Sequence, residues 1–460
     1  MMALTELARV LSAERRGDDP RCTRVEIDSR RVEPGDLFVA LRGDRFDGHG
    51  FVAKAKAAGA VAALVERWVD VDLPQVRVGD TLLGLQQMAA DWRRRFQIPV
   101  IAVTGSNGKT TTKQLIAAVA ATRGPVLATQ GNLNNHIGVP LTLLSLRAQH
   151  RTAVVEMGAN HLGEIALLAR LAAPDVGVVT QAGDAHLDGF GSRDGVARGK
   201  GELFAALDGG VAVINADDRY APQWREMARR ASVLSFGLSS SADVRAVDPQ
   251  PLADASGTRF VLETPTGHAP VQLPLPGNHN VMNALAAAAC GVALGLDVDD
   301  IARGLEQVRA PRGRVTWLRT AEGARVLDDS YNANPTSLRA GLELLAGLDG
   351  RRWLVLGDMA ELGPESDELH AQAGVAARSL GIDRVFALGP MAAHAAAAFG
   401  RGGAHFESVD ALVAALRNEM DEKTVVLIKG SRASAMDRVV AALVDAPADA
   451  GPAASSGEAH

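Results

Sequence analysis

Lys109 closes the stretch "AVTGSNGK" and is followed by three threonines, in "AVTGSNGKTTT" (102–112). The apolar run ending at Thr104 reads as a strand, and Gly105 and Gly108 permit a sharp turn after it. Backbone N–H groups of Ser106, Asn107 and the start of a following helix then point at a phosphate. In that setting Lys109 reaches the terminal phosphates of a nucleotide, and the hydroxyl of Thr110 or Thr111 sits on Mg²⁺. The usual spacing G-x-x-x-x-G-K-[ST] would put its first glycine at position 103, where Val103 stands. This is a phosphate loop of another pattern, and it fixes nucleotide binding without fixing the reaction.

A phosphate-bound metal needs carboxylates at the carboxyl ends of neighbouring strands. "TAVVEMGAN" ends a strand at Glu156, suited to a metal ligand or to a base orienting water. "VVTQAGDAHLDGFGS" leads from the next strand into a loop with Asp184, His186 and Asp188, and Lys200 follows in "VARGKGELF", early in a helix. The polar loop "LDDSYNANPTS" carries Asp329, Tyr331 and Asn332 and suits a ribose or a peptide. "LIKGSRAS" (427–434) is an anion-friendly loop with Lys429 and Arg432. Seven lysines stand against 41 arginines, which ranks Lys109, Lys200 and Lys429 first among cations, because lysine can change protonation or be modified.

These residues need a scaffold of alternating strands and helices. Residues 1–97 mix short strands with helices, and a strand restarts after Pro99. Residues 98–310 alternate continuous apolar strands with helices, the pattern of a buried parallel sheet, with a small antiparallel insertion at 243–275. Residues 311–446 form another doubly wound unit, and 447–460 read as a disordered tail. The fold class is α/β in three domains.

At 460 residues, 47% hydrophobic and 22% charged, the chain is too long for one ordinary core. A net charge of −6 without a basic block argues against nucleic acid as the main partner. No apolar run of about 18 residues could span a bilayer, and no secretory signal opens the chain. Cys22 and Cys290 make neither a disulfide framework nor a metal cluster. A monomeric cytoplasmic enzyme is the expectation.

Taken together, these stretches resemble the Mur ligase family, the ATP-dependent amino-acid ligases of peptidoglycan synthesis. That family carries T-G-[ST]-[NK]-G-K-[ST]-[ST] after a strand, which accounts for Gly105. The resemblance runs through "EMGANHLGEI", "HLDGFGS", "GKGELF", "PGNHNVMNALAA", "PRGRV" and "LDDSYNANP" and covers nearly the whole chain. It implies a small N-terminal substrate domain, a central ATPase-type domain and a C-terminal Rossmann-like domain. "DSRRVEPGDLFVALRGDRFDGHGF", "TQGNLNNHIGVPLTLL" and "YNANP" are similar to the member that adds D-alanyl-D-alanine to UDP-N-acetylmuramoyl-tripeptide.

The resemblance implies that Thr104 to Thr111, with Lys109, cradle the ATP phosphates. Glu156 would hold one Mg²⁺ beside Thr110, and His186 with Lys200 a second. His279 and Asn280 would lie against the nucleotide, Arg314 would reach its phosphates, and Asp329 would meet the ribose. Ser29 and Arg30 match uridine-diphosphate positions, and Asn134 and Asn135 match sugar-peptide positions. Relatives often have P-x-P-G-R where this chain has "PRGR", which leaves open whether Arg312 shares the role of Arg314. A plain ammonium is the wrong group for a cation site, and the resemblance implies a carbamate on Lys200. The plain alternative is a helix lysine paired with Glu202. Rival functions are a lysine or diaminopimelate adder, a folylpolyglutamate synthase, or a P-loop hydrolase without ligase activity.

Overall fold

The structure is a computed structural model, described for residues 1–43, 46–184 and 187–444. His186 and the expected disordered tail lie outside the described residues. Among the described residues three large sheets and a small antiparallel pair, Met2–Ala3 with Arg21–Cys22, carry the chain, and one apolar cluster joins Leu37 and Leu64 of the first large sheet to Val100 and Ala102 of the second.

In the first, Arg24–Glu26, Asp36–Val39, Ala62–Val65 and Gln75–Arg77 run parallel, and Glu14–Arg16 adds an antiparallel edge. The helix Thr81–Arg94 joins this sheet to the next, starting where Asp80 accepts a hydrogen bond from Leu83 N. Its far end is tied down by Trp92 Nε1, which donates to Leu146 O at 3.2 Å, and by Arg93 Nε, which donates to Ala172 O at 2.9 Å.

The second sheet has nine strands, and the strands of 100–246 run parallel. Its inner strand Val100–Thr104 is buried throughout, and its side chains alternate between two apolar clusters, Val100 and Ala102 in one, Ile101 and Val103 in the other. Both faces are therefore covered, as a continuous apolar strand requires. The expected antiparallel strands within 243–275 are present, and they are joined to the large sheet. Val244–Pro251, Thr258–Thr264 and Gly267–Leu273 continue the same sheet, because Phe236 and Gly237 pair in parallel with Val244 and Arg245. Alternating burial along Thr258–Thr264 shows one face on the core and one in water.

The third sheet orders Thr316–Arg319, Arg325–Asp329, Thr424–Lys429, Arg351–Gly357, Arg384–Leu388 and Gly403–Phe406, with only the first pair antiparallel. Thr424–Lys429 comes late in the chain yet lies between strands more than 70 residues earlier, as a doubly wound unit allows. Among the described residues, no helix is long and apolar enough to cross a membrane.

Candidate active site

Val100–Thr104 has Thr152–Glu156 on one side and Val176–Val179 on the other, so its carboxyl end is a point where the strand order reverses. A crevice opens at such a point. The phosphate loop fills it. Gly105 has φ +144°, and an added Cβ would lie 1.9 Å from Thr180 Oγ1. Gly108 has φ +80°, and its Cβ would meet Asn283 Oδ1 at 2.3 Å. Only glycine fits either position.

The next strand braces this loop from below. Thr180 Oγ1 donates to Asn107 O at 2.6 Å, Ser106 N donates to Gln181 O at 3.0 Å, and Thr104 Oγ1 donates to Met157 O at 2.7 Å. Lys109 opens the helix Lys109–Ala121, and its Nζ donates to Gly105 O at 2.7 Å and Ser106 O at 3.3 Å. Burial holds this ammonium below the ordinary lysine range, with Glu156 pulling the other way. A phosphate would supply the charge it lacks.

Glu156 is 2% exposed. One carboxylate oxygen accepts from Asn134 Nδ2 at 2.8 Å, and the other lies 3.3 Å from Lys113 Nζ without a hydrogen bond. A buried carboxylate oxygen in this state, sharing a cavity with the Thr110 hydroxyl, fits a divalent cation. Among the described residues no group of three or more His, Cys, Asp or Glu could hold a metal by itself, so phosphate oxygens or water would complete any such site. Asn134 thus holds Glu156, and Asn135 Oδ1 accepts from Gly138 N at 2.8 Å at the start of the helix Gly138–Leu144.

Lys200 is corrected in position. Its helix begins earlier than expected, at Arg193 behind the Ser192 cap, so Lys200 stands past its middle. The side chain is fully buried, donates to Ala159 O at 3.0 Å and lies 5.1 Å from the Phe190 ring centroid. It does not pair with Glu202, whose carboxylate accepts from Gly163 N and Ala166 N at 2.7 and 3.1 Å. Burial, reinforced by Lys109, drives its pKa well down.

The wall opposite the phosphate loop comes from the third sheet. Arg314 donates to Thr110 Oγ1 at 3.4 Å, and its guanidinium lies 4.2 Å from the Tyr331 ring centroid. Arg312 is exposed. Asn334 caps the helix Pro335–Ala346 and donates to Asn107 Oδ1 at 2.8 Å. Asp329 and Lys429 sit opposite each other in register and form an ion pair, the lysine 1% exposed. His279 lies near this pair, its pKa lowered by burial, and Asn280 donates to Pro276 O at 2.9 Å.

The cavity is about 770 Å³, open to solvent on one side, and is lined by Lys109, Thr110, Glu156, His279, Asp329 and Arg432 among others. Asn134, Asn135, Asn280, Arg314, Tyr331 and Asn332 line it too. Ser29, which is buried, and Arg30, paired with Asp28 at 2.7 Å, are not among its lining residues. Sequence reasoning overlooked Lys113, Thr180 and Asn283. Lysine scarcity was the one signal that could have drawn attention to Lys113.

A nucleotide-phosphate loop facing a second α/β unit across a cavity defines a two-walled phosphoryl-transfer enzyme. Residues 21–92 match the "Mur ligase family, catalytic domain", 103–291 the "Mur ligase middle domain" and 313–432 the "Mur ligase, glutamate ligase domain". The chain belongs to the Mur ligase family. It is similar to the UDP-N-acetylmuramoyl-tripeptide--D-alanyl-D-alanine ligase of Escherichia coli (strain K12), 45% identical over 446 residues, 96% of this chain and 98% of that one. Among solved structures it resembles MurF from Acinetobacter baumannii, with TM-score 0.90, 37% identity and coverage of 96% and 98%. It also resembles a MurF ligase from Thermotoga maritima in complex with ADP, with TM-score 0.81, 29% identity and coverage of 92% and 97%.

Proposed function

We propose that this chain joins D-alanyl-D-alanine to UDP-N-acetylmuramoyl-tripeptide, consuming ATP, in cytoplasmic peptidoglycan precursor synthesis. The observation that carries this reading is the cavity shared by the phosphate loop and the third sheet, in a chain similar from end to end to ligases of that name. The tripeptide's terminal carboxylate takes the terminal phosphoryl group and becomes an acyl phosphate. The dipeptide amine then attacks the acyl carbon, and phosphate leaves with one former carboxylate oxygen. No protein nucleophile is needed. The protein supplies alignment and positive charge, which offset repulsion between a carboxylate and ATP.

Lys109 and the N–H groups of residues 105–111 hold the phosphates. Arg314 adds charge from the opposite wall, and Thr110 and Glu156 would hold Mg²⁺. Bound Mg²⁺ supplies charge neutralisation on the phosphate oxygens. His279 and Asn280 flank the nucleotide, and Asp329, fixed by Lys429, receives the ribose. Asn134 orients Glu156, and Asn135, Tyr331 and Asn332 border the peptide. Ser29 and Arg30 serve the uridine diphosphate. We assign 1–97, 98–310 and 311–446 to substrate, ATP and ligase domains. The two walls keep water from the acyl phosphate.

Lys200 is proposed to react with CO₂, losing one proton and forming a carbamate that serves a second Mg²⁺ with His186. Its burial, its lack of a pairing with Glu202 and its lowered pKa all favour the neutral amine that this reaction needs. Phosphate release tests the whole reading. It should require both UDP-N-acetylmuramoyl-tripeptide and D-alanyl-D-alanine, and release that is indifferent to the dipeptide would favour a hydrolase.

A further inference from the structure

Arg432 is a cation at the cavity whose charge is little used. It follows the strand Thr424–Lys429, in a loop anchored to the neighbouring strand. Ser431 N donates to Asp358 O at 2.8 Å, Ser434 Oγ donates to the same carbonyl at 2.6 Å, and the two hydroxyls lie 2.9 Å apart. The loop is therefore held in place, while the arginine side chain is 64% exposed. Its ion pair is with Asp437 at 3.7 Å, and that carboxylate is 56% exposed. Such a pair contributes little.

The other cations of the cavity are accounted for by the phosphate site or by shorter contacts. Lys109 is bonded by loop carbonyls, Arg314 by Thr110, Lys429 by Asp329, and Arg339 by Glu343 at 2.6 Å. Arg432 also has a defined place relative to the chemistry. Its guanidinium lies 5.6 Å from the Tyr331 ring centroid, the same ring that Arg314 contacts at 4.2 Å. Thr110, Arg314, Tyr331 and Arg432 thus form a chain of successive contacts that starts at the phosphate loop.

A dipeptide extends about 7 Å from its amine to its carboxylate. With the amine at an acyl phosphate beside Arg314, the carboxylate falls roughly one aromatic ring further out. We propose that Arg432 binds the free carboxylate of the incoming dipeptide and so selects acceptors with an unblocked C-terminus. A guanidinium matches a carboxylate with two parallel hydrogen bonds, and Tyr331 stacks the fork in place. Asp437 is the counter-charge that the substrate displaces. This assignment rests on the ligase reading above.

The test crosses enzyme and substrate. Arg432→Ala and the milder Arg432→Gln are assayed with D-alanyl-D-alanine and with its C-terminal amide, following ADP release. Wild type should show a KM about 10- to 100-fold lower for the acid than for the amide, and both variants should lose that preference. KM for ATP and for the UDP-linked peptide should stay within a few-fold. Variants that keep the preference for the acid overturn the proposal. So do variants whose KM rises for ATP or the UDP-linked peptide instead, and variants dead with both dipeptides. Wild-type enzyme that turns over neither dipeptide would instead overturn the ligase reading itself.

Discussion

Arg314 Nη2 donates to Thr110 Oγ1 at 3.4 Å, so the segment that enters the third sheet touches the phosphate loop of the second across 204 residues of chain. The two walls meet at this contact. An arginine in this place contributes most when charge develops on the transferred phosphoryl group. Arg314→Ala should therefore lower kcat by on the order of 10²-fold or more and raise the ATP dissociation constant by much less. Calorimetric ATP binding beside steady-state rates would decide this, and equal losses in both would count against it.

Lys109→Ala should reduce turnover on the order of 10²- to 10³-fold or beyond, since it removes a charge aimed at the phosphates. The fold loses two hydrogen bonds to loop carbonyls, so the unfolding free energy should fall by no more than about 1–2 kcal/mol. Activity within a few-fold of wild type would remove Lys109 from the site.

The phosphate loop was legible because its parts are contiguous: strand, glycines, lysine and threonines lie within 100–121. The Asp329–Lys429 pair was not, although both residues had been singled out. Their meeting depends on two parallel strands pairing in register across a sheet whose order departs from chain order. The bond from Asn134 to Glu156 was not legible either, because it forms only when the loop after Val126–Ala128 folds against Thr152–Glu156. The strands of 244–273 alternate as an antiparallel unit does. Their attachment to the large sheet rests on two paired residues that no local pattern marks.

Asp329→Ala should leave the Lys429 ammonium buried without its carboxylate, a loss of about 3–5 kcal/mol. Urea denaturation would show it. Replacing both residues, as Asp329→Leu with Lys429→Met, should recover most of that stability without recovering activity. A double variant as unstable as Asp329→Ala would mean the pair is not the cause.

Lys200 links stability to pH. Its folded pKa lies well below the ordinary 10.5, so between the two values the unfolded chain binds a proton that the folded chain does not. In CO₂-free buffer the stability of the wild type should rise with pH across that window relative to Lys200→Met. Bicarbonate should stabilise wild type and leave Lys200→Met unchanged. Lys200→Arg, which keeps the charge, should be nearly inactive, and Lys200→Ala should regain part of its activity with short carboxylic acids. A fully active Lys200→Arg enzyme would refute the carbamate.

The acyl phosphate is the centre of the account, and isotope transfer reads it directly. UDP-N-acetylmuramoyl-tripeptide labelled with ¹⁸O in its terminal carboxylate is turned over with ATP and D-alanyl-D-alanine, and the released phosphate is analysed by mass spectrometry. One ¹⁸O should appear in each phosphate, because the oxygen that attacks phosphorus leaves with it when the amide forms. Phosphate free of label, with ADP still produced, would mean that water and not the carboxylate receives the phosphoryl group, and the account would fail.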